Sequence, residues 1–75
     1  MSLLEKIEEV AKRVGGSFED EYSGRGMYGE TCCAVYCDDA NQALEEAGAL
    51  GLRNAQVDHM GKGWVVYWPP IRKKV

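Results

Sequence analysis

Residues 31–39 read Thr-Cys-Cys-Ala-Val-Tyr-Cys-Asp-Asp, and the change of pattern at their end decides the fold. The first seven are apolar on both alternating faces and rich in strand formers, which predicts a central strand. Asp38 and Asp39 then break the run, and Asp39 followed three residues later by Gln42 has the form of a capping box at a helix start. Behind it Ala40, Ala43, Leu44, Ala47 and Leu50 recur at helical spacing, with small alanines that permit close approach to a sheet. Gly48 or Gly51 is the expected stop.

Working upstream, residues 23–30 form a glycine-punctuated loop, and residues 17–22 alternate. That alternation places Phe18, Asp20 and Tyr22 on one side of a strand and Ser17, Glu19 and Glu21 on the other, a wet strand near a sheet edge. Residues 2–14 predict a helix. Leu3, Ile7, Val10 and Val14 make its apolar stripe, Ser2 and Glu5 a capping box, and Gly15-Gly16 its end. Downstream, residues 53–60 alternate Ala55, Val57 and His59 against Asn54, Gln56, Asp58 and Met60, and Gly61-Lys62-Gly63 is a tight turn. Trp64-Val65-Val66-Tyr67-Trp68 carries the strongest strand signal in the chain. Pro69-Pro70 ends it, and residues 71–75 are expected to be a frayed basic tail.

The order α-β-β-α-β-β predicts an α+β fold. It is a two-layer sandwich of one four-stranded, mostly antiparallel sheet with both helices on one face. A chain of 75 residues holds one such domain, residues 1–75, with a thin core. If the helix after the central strand crosses over to a strand running the same way, residues 23–30 and 48–54 share one end of the sheet. Arg25 and Arg53 then face the same volume, while Lys62 lies at the other end.

Composition narrows the function classes. Twelve acidic against nine basic side chains give a net charge of −3, which argues against a general nucleic-acid binder and leaves only the Arg72-Lys73-Lys74 tail for such contacts. No apolar run approaches the roughly 18 residues of a membrane span, and the acidic start lacks the order of a secretory leader. Cys32, Cys33 and Cys37 lie within six positions, unlike a disulfide framework. Cys32 and Cys33 point to opposite faces of a strand, so reduced thiols in a cytoplasmic protein are expected. Cys33, Cys37 and His59 do not have zinc-ligand spacing, and neither a metal nor another cofactor is expected. Nor does the spacing of His59, Asp58 and the cysteines assemble a nucleophile and base, so no catalytic residue is assigned.

Two features point to binding. The loop Ser23-Gly24-Arg25-Gly26-Met27-Tyr28-Gly29-Glu30 holds three glycines within six positions around an arginine. Backbone N–H groups of Gly24, Gly26 and Gly29 beside the Arg25 guanidinium, with Arg53, suit a phosphate-bearing small molecule, and Tyr28 is placed to stack on a base. The loop matches Gly-x-Gly-x-x-Gly, but it joins two strands rather than opening a helix, which is the wrong context for a dinucleotide fingerprint. A long bulged hairpin loop, with Met27 and Tyr28 tucked over the sheet end, is the simpler account of it.

The aromatic strand is the second feature. Trp64, Val66 and Trp68 share one face, Val65 and Tyr67 the other, beside Tyr36 of the central strand. With helices on one face only, the opposite face is expected to expose large apolar groups, and such patches mark interfaces. The expected partner is a protein or a second copy in a homodimer, with Tyr36, Trp64, Val65, Val66, Tyr67 and Trp68 as contact residues. The chain resembles small uncharacterised proteins encoded by bacteria and their phages, on residues 22–29 and on Asp58-His59-Met60-Gly61-Lys62-Gly63 before an aromatic strand. That resemblance implies a phage or mobile-element accessory protein that occludes a host partner, and it transfers no functional residue.

Overall fold

The computed structural model describes residues 2–23, 30–68 and 72–73. Helix α1 (Leu3–Val14) starts at the expected capping box. The Ser2 hydroxyl accepts the Glu5 N–H at 3.2 Å, and the Glu5 carboxylate accepts the Ser2 N–H at 2.9 Å. Those bonds hold the Glu5 carboxyl below its ordinary pKa. The helix closes at Gly15, with the Gly16 N–H returning to the Ala11 carbonyl at 2.9 Å. Helix α2 (Ala40–Ala49) is capped by the Asp39 carboxylate, which accepts the N–H groups of Asn41 and Gln42 at 3.0 and 3.2 Å. Its far end closes with the Leu52 N–H on the Ala47 carbonyl at 2.9 Å. Arg13 donates to Glu9 on its own helix and to Glu46 on α2, both at 3.1 Å. In an exposed setting these bonds add little stability; the side-by-side placement of the two helices rests on the apolar core they share.

The strands are β1 (Ser17–Tyr22), β2 (Glu30–Cys37), β3 (Gln56–Met60), β4 (Gly63–Tyr67) and β5 (Arg72–Lys73). The main sheet runs β1-β2-β4-β3 with every pairing antiparallel. Both helices lie on one face. Ile7, Val10 and Ala11 of α1 and Ala43 and Ala47 of α2 pack with Cys33, Val35, Cys37, Val66 and Trp68 of the sheet. The α+β order α-β-β-α-β-β therefore holds, with one addition. Residues 72–73, expected to fray, pair with Thr31 and Glu30 and prolong the path of β4 along β2.

Three details differ from the sequence expectation. The strands β2 and β3 run in the same direction, as expected, but are not neighbours: β4 folds back on β3 through a tight hairpin and takes the place beside β2. Next, β3 begins only at Gln56, since Asn54 adopts a left-handed conformation (φ 64°) that breaks extended pairing. Finally, the register of β1 shifts between Glu19 and Tyr22. An extra residue in a strand turns the following side chains to the other face. Phe18 accordingly packs in the helix-side core and Tyr22 on the opposite face, not on one side together.

That shift changes the uncovered face of the sheet. Tyr22 is buried between Tyr36, whose ring centroid is 6.3 Å away, and Tyr67, at 5.0 Å. With Tyr36 and Tyr67 half-buried, the three rings accompany Cys32, Ala34 and Val65, all of them buried. The face without helices is thus a second small core with a phenolic surface rather than a bare apolar patch. Burial raises the Tyr22 pKa above its usual value.

Candidate functional site

The expected contact residues separate by burial. Val65 and Val66 are fully buried and Trp68 is 3 % exposed, so these three have no surface to offer a partner. Their assignment as contact residues is corrected on that ground. Trp64 is different: it shares the helix-side alternation with Val66 and Trp68, yet remains 37 % exposed. It stands at the end of the sheet where β2 finishes, opposite Cys37 on one neighbour and His59 on the other. The His59 ring meets the indole edge-on, with centroids 4.7 Å apart and planes at 85°. Aromatic contact of this kind fixes the side chain in place.

Beside Trp64 lies a groove of about 280 Å³ between α2 and β3. Its apolar lining is Leu44 from the helix, Val57 from the strand and Trp64 from β4, with Asp38, Asp39 and Asn41 at the helix start. Leu44 is 36 % and Val57 38 % exposed. Leu44 belongs to the apolar stripe of α2, on the flank of the helix that faces Val57 across the groove. Of the exposed large apolar side chains, Leu3 and Leu4 sit apart on the first turn of α1, whereas Leu44, Val57 and Trp64 line this one groove. On the other flank of Trp64 is a cleft of about 390 Å³, lined chiefly by the chain at Gly15, Gly16, Gly63 and Asp38.

The other candidates among the described residues lie apart from this groove. Gly24, Arg25, Gly26, Tyr28 and Gly29 lie outside the described residues. Arg53 is exposed, at the end of the sheet where β1 leaves and β2 enters. The cysteines are buried thiols, Cys33 and Cys37 on the helix side and Cys32 on the other. Burial pushes the Cys32 and Cys37 thiols up, which keeps them protonated and weakly nucleophilic at neutral pH. Among the described residues no three His, Cys, Asp or Glu side chains stand together as a metal set. No described helix is long and apolar enough to cross a membrane.

Leu44 and Val57 were not singled out as contact residues from the sequence. Each read as one member of an amphipathic pattern, and pattern alone does not show that helix cover stops short of the last strand. No protein-family model, curated protein or solved structure matches the chain.

Proposed function

We propose that this protein is a small non-enzymatic docking module that binds a protein partner through the groove beside Trp64. The observation that carries this reading is the gathering of Leu44, Val57 and Trp64, all exposed, into one concavity. A half-exposed indole held by His59 is a preorganised anchor, and tryptophan is among the residues that dominate interface energetics. Its action is occupation of a partner's surface. The buried thiols suit a reducing, cytoplasmic setting.

Site-specific photocrosslinking in cells tests this. A benzophenone side chain at position 44 is expected to give a discrete adduct, lost when Trp64→Ala is added, while the same probe at the exposed Glu8 on α1 gives none. An absent adduct at position 44, or one indifferent to Trp64→Ala, overturns the reading.

A further inference from the structure

The two edges of the sheet are built differently. On the β1 edge, the strand carries Glu19, Asp20 and Glu21 in succession and an irregular register, and the Glu21 N–H is taken by the Glu19 carboxylate at 3.2 Å. Carboxylates and a bulge are devices that keep other strands away. The β3 edge carries one carboxylate, Asp58, against three on β1, and has neither lysine, proline nor bulge; its register with β4 is regular from Gln56 to Met60. The hairpin closes on the Met60–Gly63 pair through Gly61 (φ 57°) and Lys62, the glycine-first pattern of a two-residue turn. From that closing pair the ladder alternates, so Gln56, Asp58 and Met60 bond inward to β4, and the N–H and C=O groups of Val57 and His59 point out of the sheet.

One of those outward donors is already occupied, and by an acid. The His59 N–H donates to the Asp58 carboxylate at 2.8 Å. On the helix side of this edge lies the groove, with Asp38 and Asp39 at its mouth and Leu44 across it from Val57. We infer, resting on the docking reading above, that the partner supplies an extended, basic segment. That segment adds to β3 as an outer strand and sets alternate apolar side chains beside Val57 and toward Leu44, with Trp64 sensing it across His59. Its carbonyl replaces Asp58 on the His59 N–H, and the released carboxylate pairs with a lysine or arginine of the incoming strand. A second copy of this chain fits the charge pattern poorly. The register that overlaps all of β3 with itself sets Asp58 directly against Asp58, and like charges opposite one another destabilise a strand pair.

The test is titration of the isotopically labelled full chain with two short synthetic peptides, one alternating valine and lysine, the other valine and glutamate. The lysine peptide is expected to shift the Trp64 indole resonance and slow amide exchange at Val57 and His59, and to bind about tenfold or more tightly than the glutamate peptide. Asp58→Asn keeps an oxygen for the His59 N–H but removes the charge, so it weakens the lysine peptide selectively. Leu44→Lys blocks the groove from the exposed helix side and abolishes binding. Equal binding of the two peptides, no binding of the lysine peptide, or exchange protection that grows with concentration of the protein alone overturns the inference. A Trp64 shift without protection at Val57 and His59 overturns strand addition and leaves the docking reading standing, whereas loss of the position-44 crosslink removes both.

Discussion

Gly16→Ala removes a large share of this domain's stability, while Gly48→Ala makes it more stable. A Cβ at Gly16 would overlap the carbonyl oxygen of Tyr36, a backbone atom of the central strand that cannot rotate aside. The chain needs this close approach because α1 turns directly into β1 there, and Ser17 must pair with Tyr36. Relief requires α1 and the start of β1 to move off β2 together, which strips cover from Val35 and Cys37. Overpacking of this kind costs roughly 2–4 kcal/mol, against a total stability of about 4–11 kcal/mol for a chain this size. With a urea slope near 1 kcal/mol/M, the midpoint falls by about 2 M or more. At Gly48, inside α2, an added Cβ meets nothing within 4 Å, so the same substitution gains roughly 0.5–1 kcal/mol of helix propensity. Urea unfolding of the two variants checks the contrast, and a midpoint unchanged in Gly16→Ala would contradict the packing described.

The second large effect separates the two tryptophans. Trp68→Ala removes a 3 % exposed ring from the helix-side core and is expected to cost about 3–5 kcal/mol. Trp64→Ala removes a ring more than a third exposed and at the rim of the sheet, and is expected to cost about 2 kcal/mol, clearly less than the loss at position 68. Trp68→Phe refines the point. The buried indole N–H of Trp68 has no acceptor among the described residues, so phenylalanine gives up ring area but also drops an unsatisfied donor. Its cost is expected to be near 1 kcal/mol, far below that of alanine. Equal losses at positions 64 and 68, measured by denaturant midpoint, would contradict this division of roles.

How much of this could be read from the chain depends on the distance over which each cause acts. Helix ends were legible because capping is local: Ser2 with Glu5, and Asp39 with the N–H groups that follow, act within one turn. Face assignments in β2 and β4 were legible because alternation is a property of each strand alone, and Cys32 and Cys33 do part to opposite faces. Two things were not. The bulge in β1 has no sequence mark beyond three successive acids, yet it moves Tyr22 onto the uncovered face and roofs it with phenol rings. The lateral extent of helix cover was also hidden. Trp64 and Trp68 have the same parity, but one lies beneath the helices and the other beyond them, a difference set by strand order and helix placement. The glycine–arginine loop falls outside the described residues; Arg53 is exposed at the sheet end where that loop joins β1 to β2 in the sequence.

Collisional quenching of the native protein by acrylamide tests the central claim most directly, because the account keeps one indole inside the core and the other at a docking groove. The predicted Stern–Volmer plot curves downward, with one red-shifted emitter readily quenched and one blue-shifted emitter protected until the chain unfolds. A single protected population in the monomer would mean that Trp64 is enclosed, and the groove beside it would not exist as an open surface.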